Sequence, residues 1–217
     1  MTLPAIDIDN LTVTVDVNPV FSGLCLRLPP GRKMTLVGRS GCGKSTLLRC
    51  LLGFVPFTHG SIHIFGQELT ADSVWQLRTR MAYVAQEPEM TAGRVRDFLE
   101  HPFTFAGNRH LRNNLAEVPT LLDRLLLSQA LLDKEISTLS GGEKQRIALL
   151  SALLLDRAIL LLDEASSALD PAAKQAVIEL LRARQALTVL SVSHDQEWMG
   201  CSDALFDLCD IHSGSAT

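Results

Sequence analysis

No apolar run in this chain reaches the ~18 residues that a membrane-spanning helix needs. The richest stretch, 147–162, is cut by Ser151, Asp156 and Arg157. The amino end, Met1-Thr2-Leu3-Pro4-Ala5-Ile6-Asp7, lacks the basic segment that opens a signal peptide. A cytoplasmic location is therefore expected. Cysteine is sparse: Cys25, Cys42, Cys50, Cys201 and Cys209 are odd in number and scattered, which suits reduced thiols better than a disulfide framework. Cys201, Cys209, Asp210 and His212 match no compact metal-ligand spacing. Positive charge is not in excess either. With 20 Lys and Arg against 24 Asp and Glu, the formal charge of -4 argues against nucleic acid as a principal partner. There is no internal repeat and no heptad run long enough for a coiled coil.

What is present is globular. The 217 residues are 47% hydrophobic and 20% charged, enough for one substantial core. A mean hydropathy of +0.18 calls for a large core or for apolar surface that meets a partner. Ile6, Ile8, Leu11, Val13, Val15 and Val17 alternate strictly over their second half, as a half-buried strand does. Further strands are expected at 21–28, 34–37, 61–65 and 81–85. Between 87 and 138 helical patterns dominate, at 95–100, 109–117 and 120–132, with a short turn earlier at 74–78. Helices at 141–155 and 171–184 then alternate with apolar strands at 158–162 and 188–193, and 204–208 reads as an edge strand. That alternation implies a parallel sheet covered by helices.

The stretch Gly38-Arg39-Ser40-Gly41-Cys42-Gly43-Lys44-Ser45-Thr46 fits G-x-x-x-x-G-K-[ST] and lies between an apolar strand and a helix pattern. A glycine turn into a helix N-terminus gathers free N–H groups and positive potential, so the segment suits a phosphate. Lys44 would reach the β- and γ-phosphates, and the Ser45 hydroxyl would face Mg²⁺. Cys42, beside Lys44 and the helix N-terminus, is expected to favour thiolate. Farther on, Ile159-Leu160-Leu161-Leu162-Asp163-Glu164 is an apolar strand ending in two carboxylates. Asp163 would sit beside the phosphate loop as an oxygen ligand to Mg²⁺, and Glu164 would polarise an attacking water.

Leu139-Ser140-Gly141-Gly142-Glu143-Lys144-Gln145-Arg146 is a second glycine-bearing helix N-terminus, hence a second anion site. It resembles the signature motif of the ATP-binding-cassette (ABC) ATPases. The resemblance extends over nearly the whole chain. It implies an α/β fold: a P-loop NTPase (RecA-like) core with an N-terminal antiparallel β part and an inserted small helical subdomain. The boundaries would be 1–86 and 139–212 for the core, 87–138 for the insert and 213–217 for a flexible tail. It also implies ATP and Mg²⁺ as cofactors, ATP hydrolysis, and a head-to-tail homodimer in which Ser140, Gly141 and Gly142 close over nucleotide held by the other copy. Gln86 looks like the family's Mg²⁺- and water-binding glutamine. Asp170, in Ser167-Ala168-Leu169-Asp170, belongs to a loop that crosses the dimer interface. His194 looks like the histidine that holds the γ-phosphate and the water in line.

Two features depart from the family pattern. The first hairpin offers Val13, Val15 and Val17 where an aromatic usually stacks on adenine, and the nearby Phe21 aligns better with a core position. Ala165 stands where many importer ATPases have proline, which looks more like the exporter version; combined with Ser140-Gly141-Gly142-Glu143-Lys144-Gln145-Arg146-Ile147 and a short insert, it is similar to the stand-alone ATPases of FetA/FetB-type putative iron exporters. The implied function is the nucleotide-binding subunit of a transporter whose membrane subunits are separate chains. A docking groove for them is expected near Gln86, Glu87, Met90 and 94–105, unless Phe98, Phe103 and Phe105 simply build the insert's own core. The competing reading is an ABC ATPase of assembly or repair with no transport role. A metabolic kinase would have no use for 139–145.

Overall fold

The computed structural model describes residues 3–15, 18–90 and 92–209. Nine strands and seven α-helices follow in the order β1 (Ile6–Val15), β2 (Asn18–Leu28), β3 (Lys33–Val37), α1 (Lys44–Leu51), β4 (His59–Ile64), β5 (Gln67–Glu68), α2 (Val74–Arg78), β6 (Met81–Val84), α3 (Val95–Glu100), α4 (Val118–Arg124), α5 (Gly141–Leu154), β7 (Ile159–Asp163), α6 (Pro171–Ala183), β8 (Thr188–Val192), α7 (Gln196–Met199) and β9 (Ala204–Asp207) among the described residues. They form an antiparallel sheet, β2-β1-β4-β5, and a parallel sheet, β6-β7-β8-β3-β9.

The alternation in β1 changes phase once. Ile6 and Ile8 are buried, and so are Leu11 and Val13, three residues on. The extra residue is absorbed where the register with both neighbours shifts and Asn10 takes φ 48°, the geometry of a bulge. Strand β4 begins at His59, two residues earlier than its apolar residues indicate, and ends at Ile64.

The parallel sheet lies between two cores. All of β7 and β8 is buried, as their continuous apolar runs require. Successive side chains of β7 serve opposite faces: Leu160 and Leu162 join a core with α3, α4, α5 and α6, while Ile159 and Leu161 join one with α1 and the antiparallel sheet. Phe21 is fully buried in the second core, as its alignment implied.

Between β6 and α5 the chain is helical, with one isolated bridge, Arg94 to Glu135, among the described residues. Two helices there differ from expectation. The segment expected as a helix at 109–117 is a 3₁₀-helix, Ala106–Glu117, with no fully buried residue to give it an apolar face. It is held instead by side-chain amides, Asn108 to the Pro102 carbonyl at 3.0 Å and Asn114 to the Leu154 carbonyl at 2.8 Å. The single helix expected at 120–132 is broken. Helix α4 ends at Arg124, Leu126 turns to φ 55°, and a 3₁₀ segment, Gln129–Asp133, starts at the Ser128 cap. Arg146 Nη1 donates to the Leu125 and Leu126 carbonyls at 3.0 and 3.1 Å, so the break leaves these two acceptors satisfied. Leu121, Leu122, Leu125, Leu127 and Leu131 remain buried across it, which is why their spacing reads as one helix.

Candidate functional site

Loops that leave the carboxyl ends of neighbouring parallel strands share one edge of the sheet. The order β6-β7-β8-β3 therefore sets side by side the segment ending in Gln86, the pair Asp163-Glu164, the segment ending in His194, and the glycine loop. Their side chains meet. Ser45 Oγ donates to Asp163 Oδ1 at 2.8 Å, and Tyr83 OH donates to Asp163 Oδ2 at 3.1 Å. Asp163 is buried, and both of its oxygens are satisfied. Gln86 Nε2 donates to Glu164 Oε2 at 3.0 Å, and His194 Nε2 lies 3.7 Å from Glu164 Oε1.

Glu164 has φ 47°, a left-handed conformation that costs a non-glycine residue about 1–3 kcal/mol. Its N–H donates to the Val192 carbonyl at 3.0 Å, which ties the turn to β8 and aims the carboxylate at Gln86 and His194.

The glycine loop leads into α1 without a side-chain cap and with no acidic residue in the first turn, leaving the N–H groups of that turn free for an anion. At its junction Gly43 has φ 98°, and a methyl there would sit 2.5 Å from Val20 Cγ1. Lys44 is 6% exposed, yet its ammonium meets only neutral acceptors, the Gly38 and Arg39 carbonyls at 2.9 and 3.0 Å and the Cys42 sulfur at 3.9 Å. No carboxylate pairs with it among the described residues. A buried cation without a counter-ion, beside an uncapped helix N-terminus, is a place for phosphate. Ser45 and Asp163 offer hard oxygens in contact with each other, which fits Mg²⁺ carried in with that phosphate.

The second glycine segment stands apart from this cluster. Ser140 Oγ accepts from the Glu143 N–H at 3.2 Å and the Ser140 N–H donates to Glu143 Oε2 at 2.8 Å, a complete capping box for α5. A methyl on Gly142 would lie 2.8 Å from the Ala168 carbonyl, so this turn packs on the loop after Glu164. No hydrogen bond or ion pair among the described residues joins Ser140, Gly141 or Gly142 to the glycine loop. Asp170 caps α6 by accepting from the Ala173 N–H at 2.9 Å, and it too stays outside the cluster.

A model of the ABC transporter family matches residues 21–167. This chain belongs to the ABC transporter family. It is 34% identical over 97% of its length to the energy-coupling factor transporter ATP-binding protein EcfA1 of Levilactobacillus brevis, covering 77% of that protein. The structure of cbiO1 from Clostridium perfringens, part of the ABC transporter complex cbiONQ, superposes with a TM-score of 0.80 at 22% identity, covering 94% of this chain and 84% of that one. A dimeric ATP-binding cassette in a post-hydrolysis state, bound to ADP and Pi, gives a TM-score of 0.81 at 23% identity and 93% coverage of both chains. The chain is thus an ABC ATPase, of a family that binds ATP with Mg²⁺.

Two of the expectations about ABC side chains need correction. Val13 cannot cover an adenine, because it is fully buried in the core; Val17 lies outside the described residues. The Cys42 thiol is pushed up, not down: burial outweighs the Lys44 ammonium at 3.9 Å, and contact with Cys209 adds to the rise. The aromatic question divides by residue: Phe103 is buried, Phe98 is half-buried against the same core, and Phe105 is 58% exposed.

Tyr83 and Gln145 are the polar residues that sequence reasoning missed. Tyr83 is the only tyrosine. Burial first, then Asp163, push its phenol up to about 12, so it stays a donor to that carboxylate. Its place three residues before Gln86 was the available signal. Gln145 is 2% exposed, and its Nε2 donates to the Ala85 carbonyl at 3.2 Å, linking α5 to the residue before Gln86.

The capping box makes a pH prediction. The Glu143 carboxylate is held below the ordinary range, chiefly by the Ser140 N–H. A pKa lowered by folding adds stability that is full above the unfolded value and is lost as pH falls through the folded one. In urea titrations, Glu143→Gln should therefore be less stable than wild type at neutral pH. The gap should close as pH drops below the ordinary glutamate range, and a gap independent of pH would contradict the assignment.

Proposed function

We propose that this ABC ATPase is the nucleotide-binding subunit of a transporter, acting as a head-to-tail pair in which each site is built from two copies. The observation that carries the reading is the division of the chain's two glycine-bearing helix N-termini. One is joined to Asp163 through Ser45, with Gln86, Glu164 and His194 on the same sheet edge; the other faces elsewhere. A two-fold pair brings each copy's Ser140, Gly141 and Gly142 over the glycine loop of its twin. The Asp170 loop, packed beside Gly142, would lie in the same interface.

Within one site the roles follow from the contacts. The amides of residues 38–46, from Gly38 and Arg39 through Ser40, Gly41, Cys42 and Gly43 to Thr46, cradle the phosphates. Lys44 exchanges its two carbonyl acceptors for phosphate oxygens. Ser45, Asp163 and Gln86 would hold Mg²⁺ through their oxygens, and the ion would supply positive charge to the phosphates. Glu164 takes the proton of the attacking water, and Gln86 and His194 keep its carboxylate and that water in line. Tyr83 keeps Asp163 oriented when Ser45 turns to the metal.

No helix among the described residues is long and apolar enough to cross a membrane, and in this reading the transport path belongs to separate membrane subunits. We place their docking on the helical segment 87–138, which we read as an inserted subdomain, around the exposed Phe105 and the half-buried Met90 and Phe98. The likeness to energy-coupling factor ATP-binding proteins spans most of the chain and favours a membrane complex of that kind. Ala165 after Glu164 supports a second reading, metal (iron) export of the FetA/FetB type. The membrane protein that copurifies with the chain decides between them.

Lys44→Ala should weaken ATP binding roughly 10- to 100-fold in calorimetry, since a charged hydrogen-bond donor is worth about 1.5–3 kcal/mol. Unchanged affinity would contradict the placement. Glu164→Gln should lower turnover by about a hundredfold or more while ATP holds the variant as a dimer on gel filtration. A variant that elutes only as monomer with ATP would sink the shared-site reading.

A further inference from the structure

Beyond the hydrolytic groups, the glycine loop carries a thiol that has a neighbour. Strand β9 runs parallel to β3 with Val37 opposite Asp207, and the Leu208 N–H donates to the Val37 carbonyl at 3.0 Å. That register carries Cys209 to the start of the loop, where its sulfur accepts from the Arg39 N–H at 3.2 Å. Cys42 points back from the loop toward the same place. A methyl built on Gly38 would sit 2.9 Å from Cys42 Sγ and 3.0 Å from Cys209 Sγ. Two thiols distant in sequence thus crowd one point under the loop. The other cysteines are placed differently: Cys50 is fully buried with its thiol pushed up to about 12, Cys25 is exposed on the antiparallel sheet, and Cys201 lies beyond α7.

We propose that Cys42 and Cys209 form a dithiol modification site, oxidised to an intramolecular disulfide by a low-molecular-weight disulfide, and that the bond disables the loop for nucleotide. Cys209 loses its proton to solvent and its sulfur attacks one sulfur of the small disulfide, expelling a thiolate. Cys42 then gives up its proton and attacks Cys209 Sγ, expelling the second thiolate. Two protein thiols lose two electrons, and the small disulfide gains them as two thiols, which take up the two protons. The bond pins the loop at Cys42 to the end of β9. The amides of 41–43 then cannot settle around a phosphate, and the Lys44 ammonium, close to Cys42 Sγ, is held with its carbonyls. A dithiol reductant reverses the step. The consequence for nucleotide rests on the reading of this loop as the phosphate site, whereas the bond itself does not.

The test uses the full chain treated with oxidised glutathione, with and without Mg·ATP. Linked peptides are mapped by mass spectrometry under non-reducing conditions, and ATP affinity is measured on the same samples. The expected result is a Cys42–Cys209 linked peptide, slowed by Mg·ATP. ATP affinity should fall by about tenfold or more and return with dithiothreitol. Cys209→Ser, which keeps a hydrogen-bond acceptor for Arg39, should hold its affinity through the same treatment. Glutathione found only on Cys25 or Cys201, with no linked peptide, would overturn the proposal, as would a linked peptide with unchanged affinity. A reduced chain that fails to bind ATP would instead defeat the phosphate-site reading and this regulatory consequence with it; the linked peptide would still report whether the bond forms.

Discussion

The hydrogen bond of 2.8 Å from Ser45 to Asp163 is the contact that joins the two halves of the proposed active centre. Ser45 lies in the first turn of α1 after β3, and Asp163 closes β7, with β8 between them. At normal strand spacing the two backbones are about 10 Å apart. With β8 in the middle, that gap is one a hydroxyl from one and a carboxylate from the other close between them. The same order brings Gln86 and His194 to either side of Glu164. The constellation is thus a consequence of sheet topology more than of any single loop.

That topology is stabilised from both faces. The central strands β6, β7 and β8 feed two cores, one shared with the antiparallel sheet and α1, the other with α5, α6 and the helical segment, while β3 and the exposed edge strand β9 serve the first. Movement of the helical segment therefore acts on the same strands that carry the site. A direct link exists in Gln145, which joins the first turns of α5 to the residue before Gln86. Its second amide atom, Oε1, is buried without a partner, so this contact is held less firmly than a fully paired one.

Much of this was legible in the residues. The glycine loop, the Asp163-Glu164 pair and the Ser140 segment stand out by spacing, because the phosphate and Mg²⁺ chemistry proposed for them would tolerate few alternatives there. Strands β7 and β8 were legible because complete burial demands unbroken apolar runs. What was hidden depends on contacts between distant segments. The direction in which Tyr83 leaves its strand is set by pairing with β7. The break at Leu126 is made possible by Arg146, 20 residues later. The high pKa of Cys42 comes from burial and from Cys209, which only the register of β9 brings near. Local charge alone, Lys44 and a helix N-terminus, pointed the other way.

In the proposed arrangement a cradle and a lid from different copies make each site. Its most direct test is complementation between two variants, Lys44→Ala with a defective cradle and Ser140→Arg with a defective lid. Each alone should fail to turn over ATP. Mixed, they should recover turnover, because the mixed pair contains one site with an intact cradle and an intact lid. Turnover by Ser140→Arg alone at the wild-type rate, or a mixture as inactive as its parts, would contradict it.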